Sequence, residues 1–217
     1  MRLGKALIFD FDHTIVENVN STDNDILAIL RQFDEKLDES DTFKYIQEAT
    51  SDYGICRNFL KSEDVSTAYQ LILELNIRKV DAALYRDDLI DAIKVLSMQY
   101  PLFVLSGRDQ HSLNYSLLKA NIFHLFKEII GDDLLTEPKP NPTALIKMAD
   151  RHHLSLQDCL YIGDNYSDYH LTISSGCHFL GAAWYHNCLE GIPNVCYRVE
   201  DLLGAIQRHF STATIYK

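Results

Sequence analysis

Short apolar runs alternate with amphipathic stretches along this chain of 217 residues. Ala6 to Phe9 is a continuous apolar segment suited to a strand buried on both faces, and it ends on Asp10-Phe-Asp12-His-Thr14. From about residue 14 to residue 85 the period is helical. Ser21, Thr22 and Asp23 offer N-caps for a helix that carries Ile26, Ile29, Leu30 and Phe33 on one face, and Thr42 to Tyr53 and Val65 to Leu75 repeat that spacing. At Asp87 the rhythm changes. An amphipathic helix with Leu89, Ile90, Ile93 and Leu96 leads to the apolar strand Leu102 to Leu105. Helices over Leu113 to Ala120, Thr143 to His152 and Asp168 to Ser174 then lead to strands over Glu128 to Ile130, Cys159 to Ile162 and His178 to Ala182, respectively. A last strand, Val195 to Val199, precedes a helix over Leu202 to His209. Strands that alternate with helices of about ten residues predict right-handed βαβ units. The expected fold class is therefore α/β, a doubly wound parallel sheet with an all-helical domain inserted after its first strand. Residues 1–17 and 85–217 would form the sheet domain and residues 18–84 the insert.

Composition narrows the partners rather than the fold. A hydrophobic content of 47% and a charged content of 24% exclude a disordered or fibrous chain. Twenty basic against 31 acidic residues give a net charge of −11, which disfavours a nucleic-acid backbone or an anionic membrane as partner. A small anionic ligand would need a local device against that field: a metal ion, a lysine or helix N-termini. The apolar run after the basic start is broken at Asp10, too soon for the core of a signal peptide, and no run approaches membrane-spanning length. The five cysteines include no Cys-x-x-Cys pair, which fits reduced thiols in a cytoplasmic protein better than a metal cluster.

Several predicted strands end in polar residues of related chemistry. Asp10 and Asp12 follow the first strand and, by alternation along an extended backbone, start on the same side, with Phe11 directed into the fold. Two acids facing one spot need a cation between them or a proton on one of them. Ser106 and Gly107 follow the second strand, Lys139 precedes the helix that leads into the strand Cys159 to Ile162, and that strand ends in Gly163-Asp164-Asn165-Tyr166-Ser167-Asp168. In a doubly wound sheet these ends lie side by side.

Phosphoryl transfer to a carboxylate requires such an inventory. Asp10 would attack phosphorus. Asp12 would protonate the departing alkoxide and later take a proton from the hydrolytic water. Ser106, Gly107 and Lys139 would bind the phosphoryl oxygens, and oxygen ligands from Asp10, the backbone carbonyl of Asp12, and Asp164 would suit Mg²⁺. Asp168 is either a first-turn helix acid stabilised by the macrodipole or a group that orients a metal-bound water.

In these residues the chain resembles the haloacid dehalogenase superfamily phosphatases. Their four motifs correspond to Asp10-x-Asp12-x-Thr14, Ser106, Lys139 and Gly163-Asp164-x-x-x-Asp168, in the family's order, and the resemblance runs from Ala6 to about Asn187. It implies a Rossmann-like core with a helical cap between the first and second motifs. Ser174-Ser-Gly176 and Gly181-Ala-Ala-Trp184 are similar to the phosphoglycolate-phosphatase-like branch, whereas Asp12-His-Thr-Ile-Val-Glu-Asn is similar to phosphoethanolamine and phosphocholine phosphatases. His13 stands where the former branch often has Gly, and Arg108 follows the Ser-Gly of the second motif. Within the insert, Tyr53, Arg57, Asn58 and Lys61 are candidates to close over a substrate, with a hinge near Glu17 and Leu84.

The expected function is Mg²⁺-dependent hydrolysis of a small phosphorylated metabolite through an aspartyl-phosphate. A phosphomutase on the same scaffold is the second enzyme class, and a dehalogenase is disfavoured by the acid at Asp12. A non-enzymatic receiver module that holds a phosphoryl group is a further alternative, against which stand Asp12 and the large insert.

Overall fold

The computed structural model describes residues 4–17, 23–48, 52–186 and 188–212. Strand β1 (Ala6–Phe9) lies inside a six-stranded sheet with β2 (Leu102–Leu105), β3 (Phe126–Ile130), β4 (Cys159–Gly163), β5 (His178–Ala182) and β6 (Val195–Cys196). The order is β3-β2-β1-β4-β5-β6 and every neighbouring pair is parallel. Because β1 pairs with both β2 and β4, its carboxyl end opens at the point where the strand order reverses, the place where open α/β sheets bind ligands.

The helices in chain order are α1 (Asp23–Leu30), α2 (Glu39–Glu48), α3 (Asp52–Phe59), α4 (Ser62–Ala82), α5 (Asp87–Ser97), α6 (Gln110–Lys119), α7 (Thr143–Arg151), α8 (Tyr166–Ser175) and α9 (Leu202–Thr212). Alternation along β1 splits the core in two. Leu7 and Phe9 pack with Leu89 and Ile93 of α5, Leu113 and Leu117 of α6, and Leu202 and Ile206 of α9. Ala6 and Ile8 face the opposite way, toward Leu145 and Met148 of α7 and Leu171 of α8. Both faces of the sheet are therefore covered, which explains why its strands read as continuous apolar runs.

Helices α1 to α4 bury a third cluster of their own, with Leu30, Ile55, Cys56, Ala68 and Ile72 at its centre. The chain leaves the sheet and returns to it at one place, where the Glu17 amide donates to the Leu84 carbonyl at 3.1 Å across an antiparallel bridge. Helix α4 also meets α6: Lys119 Nζ donates to the carbonyls of Val80 and Asp81 at 3.1 and 3.0 Å, and Asn76 Nδ2 donates to Asp109 Oδ2 at 3.2 Å.

The fold class follows the sequence, and the element ends differ in places. The spacing predicts one helix over Thr42 to Tyr53, whereas the chain forms α2 and α3 there. Ser21 and Thr22 lie outside the described residues. The last strand stops at Cys196, because Val199 is buried from a 3-10 turn that starts α9 rather than from the ladder. No helix among the described residues is long and apolar enough to cross a membrane.

Candidate active site

Asp10, Asp12, Ser106, Gly107, Lys139 and Asp164 all line one pocket of about 260 Å³ above the carboxyl ends of β1, β2 and β4. Four pieces of backbone bring them there: the loop after β1 carries Asp10 and Asp12, the turn after β2 carries Ser106 and Gly107, and Lys139 and Asp164 come from before α7 and after β4. The Asp10 amide donates to Ile162 O of β4 at 2.8 Å and the Ser106 amide to Ile130 O of β3 at 3.0 Å, so hydrogen bonds continue past the ends of the strands and fix where both side chains emerge. Beyond Asp10 the chain turns tightly, with the amides of Thr14, Ile15 and Val16 all donating to Phe11 O while Phe11 itself is fully buried. His13 sits in this turn with φ 56°, in the left-handed region that glycine adopts at least cost and that histidine enters more readily than most residues.

Lys139 organises the floor. Its Nζ donates to Asp10 Oδ1 and to Asp168 Oδ1, both at 2.7 Å, and lies 3.2 Å from Tyr161 Oη. Tyr161 Oη donates to Leu105 O at 2.8 Å and sits 3.2 Å from Asp168 Oδ1. Asp168 is fully buried. Although it belongs to the first turn of α8, its side chain turns to the lysine, and Asn165 caps the helix instead, its Oδ1 accepting from the Asp168 amide at 3.1 Å. Tyr161 reads in the sequence as one more residue of an apolar strand, and only its hydroxyl hinted at a polar neighbour.

Burial pushes the Asp10 carboxyl well up, and Asp168 and Asp164 add to this against the opposing pull of Lys139. The same burial works against the Lys139 ammonium, but Asp10 and Asp168 outweigh it and hold its proton well above the ordinary range. Burial likewise raises Asp168, Lys139 opposing it and Asp164 adding to it.

One oxygen from each of Asp10, Asp164 and Asp168 lies within 4.8 Å of the others. Three carboxylates against one ammonium leave two negative charges in excess. Asp168 Oδ2 is buried with no hydrogen-bond partner among the described residues. A hard, all-oxygen donor set with that excess charge fits a divalent cation such as Mg²⁺ or Mn²⁺ and fits a thiophilic metal poorly.

Asp12 has a different partner. Arg108 grips it with two prongs, Nη2 to Oδ1 at 2.5 Å and Nε to Oδ2 at 3.1 Å. Burial pushes the Asp12 carboxyl up, but the charge and hydrogen bonds of Arg108 overcome it and hold the group below the usual carboxylate value. Arg108 is placed by close backbone packing: a Cβ on Gly131, at the end of β3, would come within 2.7 Å of Arg108 O and 2.5 Å of the Gln110 amide nitrogen.

His186, from the loop after β5, was not foreseen. Its Nε2 lies 3.2 Å from Asp164 Oδ2 and its ring meets His13 edge-on at 4.1 Å. The hydrogen bond to Asp164 raises His186, while burial and then the charge of His186 lower His13. Its position past a strand end, after Gly181-Ala-Ala-Trp184-Tyr, was the available signal.

The insert closes the pocket with Ile26, Ile46, Asp52 and Ile55. Tyr53 and Arg57 face a separate groove shared with Asp132 and Asp133, and Asn58 and Lys61 are exposed. Helical phase accounts for the difference, since Asp52 and Ile55 are three apart on one face of α3 whereas Tyr53 and Arg57 are four apart on the next.

With this geometry in place, the chain can be compared with known proteins. A family model described as haloacid dehalogenase-like hydrolase matches residues 7–182. A phosphoglycolate phosphatase of Aliivibrio fischeri is 32% identical over 108 residues, covering 49% of this chain and 48% of that protein. The enzyme of the same name from Escherichia coli K12 is 33% identical over 96 residues, 42% of this chain and 38% of that protein. The chain thus spans about half the length, or less, of the curated relatives it matches. A crystal structure described as a predicted phosphoglycolate phosphatase from Haemophilus somnus shares the fold at a TM-score of 0.74 and 19% identity, covering 94% of this chain and 98% of that one. A haloacid dehalogenase-like family protein from Streptococcus pneumoniae does so at 0.71 and 18%, with the same coverage.

Proposed function

The chain belongs to the haloacid dehalogenase-like hydrolases, and from that premise we propose that it hydrolyses a small-molecule phosphomonoester through an aspartyl-phosphate on Asp10, with Mg²⁺ as cofactor. One observation carries the proposal: the two acids of the loop after β1, a hydroxyl from after β2 and an ammonium from before α7 converge on a single pocket together with Asp164. The name shared by the curated relatives supports a phosphomonoester as substrate class.

In the first step an Asp10 oxygen bonds to phosphorus while the bond from phosphorus to the alcohol oxygen breaks. Asp12 gives its proton to that leaving oxygen. In the second step water attacks phosphorus, Asp12 takes the proton, and phosphate leaves as Asp10 is regenerated. Lys139, Ser106 Oγ and the backbone at Gly107, all in the pocket lining, would meet charge on the phosphoryl oxygens. Bound by Asp10, the backbone carbonyl of Asp12, and Asp164, Mg²⁺ would add positive charge at the same oxygens. Asp168 and Tyr161 hold Lys139 in register with Asp10. Arg108 favours the ionised Asp12, the form that accepts the proton of water in the second step, so the protonated form that the first step uses is the minor one and is regenerated by that same proton. Four buried cysteines and an exposed one, none of them disulfide-bonded, support a reducing, cytoplasmic setting.

The test is phosphate release from p-nitrophenyl phosphate and alkyl phosphates. Turnover should require Mg²⁺, stop with EDTA, and fall on the order of a thousandfold in Asp10→Asn. Turnover that survives either change would end the proposal.

A further inference from the structure

The wall opposite the reacting groups describes the alcohol half of the substrate. It is built from Ile26 of α1, Ile46 of α2 and both Asp52 and Ile55 of α3. No Lys or Arg of the insert lines the pocket among the described residues. Nearby cations are committed elsewhere: Lys139 to Asp10 and Asp168, and Arg108 to Asp12. Lys79 of α4 is buried and interacts with Asp25 and Asp52, but it is not part of the pocket wall. Asp52 is held from behind by Asn76, whose Nδ2 donates to its Oδ2 at 2.8 Å while also reaching Asp109 Oδ2 across to the sheet domain at 3.2 Å.

Resting on the phosphatase reading above, we propose that the leaving alcohol is not anionic: its carbon chain lies on Ile26, Ile46 and Ile55, and a hydroxyl or ammonium on it donates to Asp52. Such a group gives the Asp52 carboxylate a donor beyond Asn76, one that the isoleucines around it cannot supply. A carboxylate-bearing alcohol such as glycolate would instead bring a second negative charge against Asp52 with no wall cation to meet it. The chain would then differ in substrate from the relatives whose name specifies phosphoglycolate.

Four phosphoesters with a two-carbon alcohol separate the possibilities: 2-aminoethyl phosphate, 2-hydroxyethyl phosphate, ethyl phosphate and phosphoglycolate, with acetyl phosphate as a reporter of the reaction itself. The expected kcat/KM for the aminoethyl or hydroxyethyl ester exceeds that for phosphoglycolate at least tenfold, and which of the two leads identifies the donor. Asp52→Asn should shrink that ratio at least fivefold. Ile46→Arg, a change at a half-buried position, should raise phosphoglycolate at least tenfold relative to the aminoethyl ester. Phosphoglycolate preferred by the unaltered protein, or ratios that neither substitution moves, would overturn this inference and leave the phosphatase reading standing. Acetyl phosphate untouched in the presence of Mg²⁺ would overturn both.

Discussion

Gly163 stands where a larger residue would collide with Asp168. A Cβ there would come within 2.6 Å of Asp168 Cγ and 2.8 Å of its Cβ. Gly163→Ala should therefore displace Asp168 and, through it, Lys139. The expected cost is about 1–3 kcal/mol of stability, read by urea denaturation, with a parallel loss of turnover; an unchanged midpoint and rate would contradict the role assigned to this contact. Asp12 and Arg108 give a second prediction. The lowered Asp12 pKa keeps it a base down to acidic pH, so phospho-enzyme hydrolysis should fail only when pH drops below that lowered value. Removing the guanidinium in Arg108→Met raises the pKa, and the acidic limb of that single-turnover rate should move to higher pH. A limb that stays in place would mean that Asp12 is not the group titrating.

At the scale of elements, the strands were legible and their partners less so. Ala6 to Phe9 and Leu102 to Leu105 could be read to the residue, because a strand buried on both faces is apolar throughout and stops where its polar side chains begin. The residues past those ends, Asp10, Asp12 and Ser106, and Asp164 past the end of β4, were visible for the same reason. Tyr161 and His186 were not, since a hydroxyl inside an apolar strand and a histidine in a loop acquire meaning only from what the fold sets beside them. Nor could spacing show which face of α3 turns inward; an error of one residue exchanges Asp52 for Tyr53. Asn165 could have been read as the cap of α8. Asn165→Ala should cost about 1 kcal/mol in thermal or chemical unfolding, and no change would contradict the cap. Helix α9 carries a pH-dependent contribution of its own. Burial, then His178 and Lys5, lower the His209 pKa below its unfolded value of about 6.5. The neutral ring is thus the folded form, and its contribution is present above that pH and lost as pH falls. His209→Phe should flatten the acid slope of stability, and an unaltered slope would count against this.

For the whole molecule, the governing feature is that two separately packed bodies enclose the pocket. The sheet domain has its two cores, the helices α1 to α4 have theirs, and the chain crosses between them at the Glu17–Leu84 bridge. Such a connection suits a hinge that closes over substrate and excludes bulk water before phosphoryl transfer. Mg²⁺ with a beryllium fluoride mimic of the phosphoryl group should raise hydrogen-exchange protection in α3 and around residues 76–84, and protection that does not change would contradict closure. What the pocket encloses is the central claim, a phosphoryl group carried on Asp10. It is tested most directly in Asp12→Asn with acetyl phosphate, whose leaving group needs no acid and whose phospho-enzyme has lost its base for water. After acid quenching, mass spectrometry should find the phosphoryl group retained on the peptide bearing Asp10. Label on another residue, or phosphate released with none on Asp10, would contradict the account.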